Sequence, residues 1–171
     1  IARTQEKLDE ASEELRDEFG VGAIGLSSDV RDYDTLESTI EEAVDQFGDI
    51  DILVCGAAGN FPAPAAGMSA NGFKAVVDID LQGTFNACRA AFQHMTTPGG
   101  RIVAISAPQS TVPMAMQSHV CAAKAGVDQL VRTLAVEWGA AGINVNAIQP
   151  GPVEGTEGMK RLTPEIGRAH V

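Results

Sequence analysis

Lys124 stands among residues with very small side chains, in a segment whose pattern predicts a helix from residue 118 to about 138. Apolar residues recur there at steps of three and four, so one side of the helix should face a core. Alanines and a glycine occupy positions 122, 123, 125 and 126, and small neighbours let a ligand or a second backbone come close to the ammonium. On this segment alone, a surface lysine on an amphipathic helix remains an open alternative.

Two further side chains could do chemistry beside it. Asp80 falls in a predicted helix, on the side that carries Val76 and Thr84, where a carboxylate must be hydrogen-bonded or paired with a charge. His119 lies five residues before Lys124, near the junction of a loop and a helix. The position of this histidine is compatible with a catalytic role and equally with a structural one.

Groups that suit a flat or anionic ligand follow three predicted strands. The fork of Arg3 could pair with a phosphate, or the residue could simply be solvated. Asp29 could accept a hydrogen bond from an amino group or merely begin a turn. The turn Gly56-Ala57-Ala58-Gly59 would let the backbone approach a ligand, although such turns also serve tight packing.

The elements that must position these residues alternate along the chain. Helices are predicted from Thr4 to about Gly20, from Asp32 or Asp34 to Gly48, from Ser69 to about 95, and from 118 to 138. Strands are predicted at 23–26, 50–55, 101–106 and 143–148, with the first three residues resembling the end of another strand.

This alternation predicts a single α/β domain over residues 1–164, a doubly wound parallel sheet with helices on both faces. Right-handed crossovers then bring the loops that follow the strands to one edge, where such sheets bind ligands. The loops concerned are 27–30, 55–60, 106–117 and 149–157.

Composition and charge narrow the function classes. The chain has 171 residues and a net charge of −11, which falls entirely within residues 1–50, so we expect no nucleic-acid partner. No apolar run approaches the roughly 20 residues that span a bilayer, and we expect no membrane association. Cys55, Cys88 and Cys121 show no metal-ligand spacing and favour a reducing compartment.

Both ends look cut. The chain begins at Ile1 without a methionine, and residues 165–171 resemble a translated sequencing adapter, which we leave out of the domain. We expect the sequence to be a fragment that lacks material on both sides.

Taken in order, several motifs resemble the short-chain dehydrogenase/reductase superfamily over residues 1–164. They are Asp29-Val30, Ala57-Ala58-Gly59-Asn60, Asp80-Leu-Gln-Gly83-Thr-Phe, the strand end Ile105-Ser106, Lys124 and Pro150-Gly151-Pro152. The resemblance implies a Rossmann-type fold, incomplete at both ends, that binds NAD(H) or NADP(H). It also implies an active site of Asn, Ser, Tyr and Lys, the last two spaced as Tyr-x-x-x-Lys.

The chain departs from that pattern at three positions. Val120 stands where the tyrosine is usual, Ala107 where the serine is usual, and Asp80 where the asparagine is usual. The single tyrosine, Tyr33, is far away in sequence. Reduction of a ketone needs a proton donor beside the carbonyl oxygen, so ordinary alcohol–ketone chemistry is disfavoured unless His119 replaces the phenol.

One branch, the peroxisomal-type 2,4-dienoyl-CoA reductases, is similar in these same departures. The shared segments are 55–61, 78–86, His119 with Lys124, Leu134-Ala-Val-Glu-Trp-Gly139 and residues 150–158. The resemblance implies that NADPH delivers hydride to the far end of a conjugated dienoyl thioester, after which protonation at the α-carbon gives a 3-enoyl-CoA.

The resemblance also implies roles for individual residues. Lys124 holds the nicotinamide ribose and places positive charge near the reacting centre, Asp80 pairs with it and helps deliver the proton, and His119 lines the site. Cofactor contacts are implied for Arg3 (the 2′-phosphate), Asp29 and Val30 (the adenine), Ala57, Ala58 and Gly59 (the ribose and nicotinamide side), Pro150, Gly151 and Val153 (the nicotinamide), and Thr156 (the phosphates). Because the superfamily's Gly-x-x-x-Gly-x-Gly loop is missing from this sequence, we expect residues 1–164 alone to bind NADPH poorly.

Three functions therefore remain open: an NADPH-dependent reductase of an acyl-CoA-type enoyl thioester, a short-chain reductase of a carbonyl such as a 3-ketoacyl thioester, and a non-catalytic cofactor-binding relative. By the same resemblance we expect a homo-oligomer, a tetramer, formed through the helices at 69–95 and 118–138. The expected location is cytoplasmic, or peroxisomal in a eukaryote.

Overall fold

Three parallel strands form the sheet in a computed structural model of the chain, which describes residues 1–151 and 153. They are β1 (Ile52–Cys55), β2 (Arg101–Ile105) and β3 (Asn144–Ile148), hydrogen-bonded in the order β1-β2-β3. Ile52 pairs with Arg101, and Arg101 pairs in turn with Asn144. Each strand is followed along the chain by a loop and then a helix or a further loop, so the α/β class and the parallel sheet are confirmed.

Five α-helices accompany the sheet in the part of the chain that the structure describes. They are α1 (Gln5–Phe19), α2 (Tyr33–Phe47), α3 (Ala70–Val77), α4 (Gly83–Ala91) and α5 (Ser118–Trp138). The sequence predicts the start of a helix well where a side chain caps it. Asp32 accepts a hydrogen bond from the Thr35 N–H at 3.2 Å, and Ser69 accepts one from the Gly72 N–H at 3.0 Å. Thr4 is the N-cap residue of α1, where the sequence places the start of this helix, but its side chain makes no capping hydrogen bond.

The long helix expected at 69–95 is interrupted inside its length. A π-helical turn, Asp78–Gln82, separates α3 from α4, and a short 3₁₀ turn, Phe92–His94, completes the segment. A π turn inserts one extra residue into the helical repeat and is frequent at functional sites. It contains Asp80, whose side chain is only 1% exposed.

One face of the sheet carries the core. Leu53, Cys55, Ile102, Ala104 and Val145 point to that face and pack with apolar residues of α2, α4 and α5. On the opposite face Ile52, Val54 and Ile148 are 59%, 60% and 51% exposed. The helices α2, α4 and α5 all pack on the covered side of the sheet.

The prediction of a strand at 23–26 is wrong. The only ladder contact there is an isolated parallel bridge between Ala2 and Ser27. Side chains of α1 bond to the segment instead: Gln5 donates to the Gly25 carbonyl at 2.7 Å and Arg16 to the Ala23 carbonyl at 2.6 Å. Carbonyls that already accept hydrogen bonds from side chains of α1 need no partner on a neighbouring strand. The helix itself is largely exposed, with Ser12 as its single buried residue.

Gly83 marks a close approach that a larger residue would disturb. A Cβ at this position would lie 2.5 Å from Cγ2 of Val30, in the loop before α2. We expect Gly83→Ala to lower the free energy of unfolding by about 1–3 kcal/mol, as overpacking does, measured by urea titration. Gly139→Ala is the control, since a Cβ there meets nothing within 4 Å; equal losses in both variants would contradict the packing account.

Candidate active site

Lys124 and Asp80 form a buried ion pair between α5 and the π turn. The Nζ atom of Lys124 lies 3.3 Å from Oδ2 of Asp80 and donates a hydrogen bond to the Ile105 carbonyl at 2.8 Å. The side chains are 7% and 1% exposed. An ammonium has three N–H donors, so these two contacts leave one that can reach a ligand at the end of β2.

The carboxyl group of Asp80 is anchored from a second side. Its Oδ1 accepts a hydrogen bond of 2.6 Å from the backbone N–H of Gly59, in the turn that follows β1. Burial raises the pKa of Asp80 above its ordinary value, although the nearby Lys124 charge and the Gly59 N–H act in the opposite direction. Asp80 therefore holds a proton to higher pH than an exposed aspartate does, as a general acid must.

His119 lies beside this pair with no hydrogen-bond partner. The residue is fully buried, and neither ring nitrogen is bonded within the described residues. Its ring meets that of Phe61 edge-on at 4.5 Å between centroids, and it lies close enough to Asp80 to act on that carboxyl electrostatically. The structure thus brings together all three side chains expected to be catalytic, Lys124, Asp80 and His119.

The described residues place no phenol at this site. Val120, in the position usual for tyrosine, is 3% exposed and packs with Val76 and Ala123. The hydroxyl of Tyr33 is committed elsewhere, donating to Oε1 of Glu37 at 2.7 Å on α2. The acid–base chemistry available here rests on a carboxyl, an ammonium and an imidazole.

A groove of about 440 Å³ is lined by five of the residues expected to bind a cofactor: Arg3, Asp29, Val30, Ala57 and Ala58. The small side chains of Ala57 and Ala58 leave the backbone accessible. The groove is lined by Ile1, Ala2, Arg3, Ser28, Asp29, Val30, Val54, Gly56, Ala57, Ala58 and Ile79. The loops 27–30 and 55–60 thus meet at one edge of the sheet, as the predicted topology requires.

Asp29 is less free than the sequence suggests. Arg31 binds both of its carboxylate oxygens, with Nε 2.9 Å from Oδ1 and Nη2 2.5 Å from Oδ2, and the Arg31 backbone N–H adds a third bond at 3.0 Å. A carboxylate has about four acceptor sites, so one remains on Oδ2 for an amino group. Arg31 was not among the residues singled out from the sequence, although a cation two residues after an acid is a visible signal.

The Arg31 contact makes a pH-dependent prediction. It holds the pKa of Asp29 at about 2, against an ordinary value of 3.8. Stability from a lowered carboxyl pKa is present above the unfolded value and is lost as pH falls through the folded one. We expect the destabilisation by Arg31→Ala to shrink between pH 5 and about pH 2, measured by denaturant titration and by carboxyl NMR. Lys7→Ala on α1 is the control; a difference from wild type that does not change with pH would contradict the pairing.

Two other loops complete the edge. The Ala63 N–H donates to the Met116 carbonyl at 2.9 Å, and the Asn60 amide donates to Oε1 of Gln117 at 3.4 Å, which joins the loops after β1 and β2. Pro150, Gly151 and Val153 follow β3 and are exposed. Thr156 and Pro152 lie outside the described residues, so their expected contacts stay predictions.

Side-chain bonds between loops are what sequence reasoning missed. Asn86 of α4 donates to the Val30 carbonyl at 2.8 Å and so holds the loop 27–30, which lines the groove. The sequence also does not predict that Asp80 accepts from the Gly59 N–H or that Lys124 donates to the Ile105 carbonyl. Which backbone group bonds a buried charge is decided by the tertiary structure. The described chain shows no grouping of side chains suited to a metal ion, and none of its helices has the length and apolar content to cross a membrane.

The fold and the position of Lys124 define a known class. The family model for short chain dehydrogenase matches residues 1–167, and the chain belongs to that family.

Particular relatives agree with the finer resemblance. The peroxisomal 2,4-dienoyl-CoA reductase [(3E)-enoyl-CoA-producing] of Arabidopsis thaliana is 45% identical over 175 residues, covering 96% of this chain and 58% of the relative. The probable 2,4-dienoyl-CoA reductase [(2E)-enoyl-CoA-producing] of Bacillus subtilis is 43% identical over 163 residues, covering 94% and 64%. A crystal structure of a short chain dehydrogenase from Bacillus anthracis superposes with a TM-score of 0.82 at 41% identity, covering 90% of this chain and 64% of that one.

These matches confirm the superfamily and the resemblance to 2,4-dienoyl-CoA reductases. The chain spans 58% and 64% of the length of the two curated relatives described.

Proposed function

We propose that the gene product carrying this sequence is an NADPH-dependent reductase of 2,4-dienoyl-CoA thioesters, acting in the breakdown of unsaturated fatty acids. The observation that carries the proposal is the buried Lys124–Asp80 pair, whose atoms lie 3.3 Å apart, at a site where Val120 replaces the usual phenol. Relatives more than 40% identical bear the name of this activity.

The residues that line the groove have the charge and size that a nucleotide cofactor requires. Arg3, which lines the groove, carries a guanidinium that pairs well with a phosphate such as the 2′-phosphate of NADPH. The small residues Gly56, Ala57 and Ala58 line the groove without bulk. Bound NADPH would supply the hydride. We propose that Lys124 directs its remaining N–H donor toward the nicotinamide ribose, and that Pro150 to Val153 flank the nicotinamide.

The protein's own groups then handle charge and proton. Reduction at the far end of the conjugated dienoyl thioester builds negative charge on the thioester oxygen, and a preorganised donor aimed at such charge contributes about 3–4 kcal/mol. Lys124 supplies the positive charge nearby. Asp80, with its raised pKa, supplies the proton that the α-carbon takes up, so that hydride and proton together reduce the diene to a 3-enoyl thioester.

A single observation favours carbonyl reduction as a second candidate. His119 is fully buried, and within the described part of the chain neither ring nitrogen is bonded, so a protonated imidazole could donate to a carbonyl oxygen. Under this reading His119→Gln abolishes reduction, whereas the dienoyl mechanism keeps Asp80 as the acid and loses less.

The assay separates these readings from each other and from a non-catalytic relative. The complete gene product is purified and NADPH oxidation is followed with a 2,4-dienoyl-CoA and with a 3-ketoacyl-CoA of equal chain length. We expect oxidation with the dienoyl thioester only. Oxidation only with the ketoacyl thioester favours the second candidate, and nucleotide binding without turnover of either favours the third.

The oligomer and compartment belong to the same proposal. Phe73, Phe85 and Val136, on the helices expected to form a tetramer interface, are 39%, 41% and 84% exposed, which suits association with copies of the chain. The names of the eukaryotic relatives support a peroxisomal location in a eukaryotic host.

A further inference from the structure

Asp128 lies one helical turn after Lys124 and belongs to none of the functions described so far. The two residues are four apart on α5, so they share one side of the helix. Asp128 is 7% exposed, and its Oδ2 accepts a hydrogen bond from Nε2 of Gln149 at 2.7 Å.

The amide of Gln149 joins three separate segments of the chain. The same Nε2 that bonds Asp128 also donates to Oγ of Ser110 at 2.8 Å. Ser110 ends the 3₁₀ turn Pro108–Ser110 in the loop after β2, whereas Gln149 follows β3 and precedes Pro150. An amide nitrogen has two hydrogens, and here each serves a different acceptor.

A second serine borders the carboxylate. Ser106, at the end of β2, is 2% exposed and donates its backbone N–H to the Ile148 carbonyl at 2.8 Å. Within the described residues its hydroxyl and Oδ1 of Asp128 are both buried and make no hydrogen bond, although one can donate and the other can accept. Burial acts to raise the pKa of Asp128, but the neighbouring hydroxyls of Ser106 and Ser110 and the amide of Gln149 bring it below the ordinary value, so the group is an ionised acceptor at neutral pH.

We propose that Asp128 is a positioning residue that holds the loop after β2 and the turn after β3 against the helix that carries Lys124. The inference rests on the proposed function, in which Pro150 to Val153, just after Gln149, flank the nicotinamide. Asp128 itself acts only through Gln149 and Ser110. If the bonds are lost, the loops move independently of Lys124, and misplacement of about 1 Å can cost on the order of 10²-fold in rate.

The donor and acceptor can be exchanged to test this arrangement. Gln149→Glu replaces the donor by an acceptor of the same shape, and Asp128→Asn weakens the acceptor. The double variant Asp128→Asn/Gln149→Glu restores one donor facing one acceptor and leaves the net charge as in wild type. Gln129→Glu, the same change at an exposed neighbour on α5, is the control.

We expect each single variant of the complete gene product to lose about 10- to 100-fold in kcat, with a larger isotope effect from NADPH deuterated at the transferred position. The double variant should regain most of the rate, and Gln129→Glu should match wild type. A residue that only supports the fold would instead lower the melting temperature and the active fraction, with the isotope effect unchanged.

Amide hydrogen exchange in the nucleotide-free protein measures whether Asp128 holds the two loops together, and it needs no catalytic turnover. We expect faster exchange in residues 107–117 and 149–151 together in either single variant and recovery in the double variant. Should the single variants fold poorly, Ser110→Ala removes one bond and should loosen the same two loops.

The proposal is overturned if exchange in the two loops stays at the wild-type rate, or if the double variant recovers neither exchange nor rate. A failure of the proposed function gives a different result. Dienoyl-CoA would then not be reduced, while hydrogen exchange would still be faster in the single variants and restored in the double variant.

Discussion

Asp80→Asn should lower kcat for dienoyl-CoA reduction by about 10²- to 10³-fold, which is within the range for loss of a general acid. The amide has nearly the same shape, and its oxygen can still accept the Gly59 N–H, which lies 2.6 Å from Oδ1 in wild type. The variant therefore removes the ionisable carboxyl beside Lys124, and with it the transferable proton, but keeps the hydrogen bond to Gly59. Steady-state kinetics with saturating NADPH would measure the loss.

The pH profile gives this prediction its sign. Because burial raises the pKa of Asp80, the protonated fraction is large below that pKa and falls as pH rises through it. Wild-type kcat should accordingly fall on the alkaline side, and Asp80→Asn should lack that limb. Asp78→Asn is a matched control two residues earlier, where the carboxylate pairs with Lys74 at the surface. A full rate in Asp80→Asn, or an equal loss in Asp78→Asn, would contradict the assignment.

Lys124→Met should cost about 10²- to 10³-fold in kcat, since it removes a buried positive charge near the developing negative charge. Lys124→Arg should not restore the rate, because a planar guanidinium on a different stem does not reproduce an ammonium that bonds the Ile105 carbonyl at 2.8 Å. Lys74→Met, an exposed lysine paired with Asp78, is the control. The measurements are kcat and the NADPH dissociation constant for each variant.

In Lys124→Met the free energy of unfolding should fall as pH rises, whereas a variant that breaks an ordinary salt bridge does not leave a buried carboxyl that must ionise. Without Lys124 the charge that lowers the pKa of Asp80 is gone, so that pKa rises further. A carboxyl with a raised folded pKa contributes stability below its unfolded value and loses it as pH rises through the folded value. Lys124→Met should thus be least stable at alkaline pH, and Asp80→Asn/Lys124→Met should recover stability without activity. Recovery of activity in that double variant would refute a catalytic role for the pair.

The sequence predicted much of this site because its patterns are local. Periodic apolar residues and capping side chains such as Asp32 and Ser69 predict helices without knowledge of the rest of the chain. The alternation of elements then places the loops after β1, β2 and β3 at one edge. Motif resemblance added Lys124, Asp80 and His119, which the structure does bring together.

What the sequence did not predict depends on partners chosen in three dimensions. The segment 23–26 looks like a strand by composition, yet side chains of α1 bond its carbonyls. The sequence does not show that the Asp29 carboxylate is hydrogen-bonded, whereas in the structure Arg31 donates to it. The π turn around Asp80 and the Gln149 bridge to Asp128 likewise follow from tertiary contacts that no spacing reveals.

The central claim is that the buried Lys124–Asp80 pair directs hydride into a carbon–carbon double bond. The most direct measurement supplies the complete gene product with NADPH deuterated at the transferred position and an equal mixture of a 2,4-dienoyl-CoA and a 3-ketoacyl-CoA. The account predicts deuterium at C5 of an enoyl thioester and a solvent hydrogen at its α-carbon. Deuterium at C3 of a hydroxyacyl thioester, with the diene untouched, would contradict it.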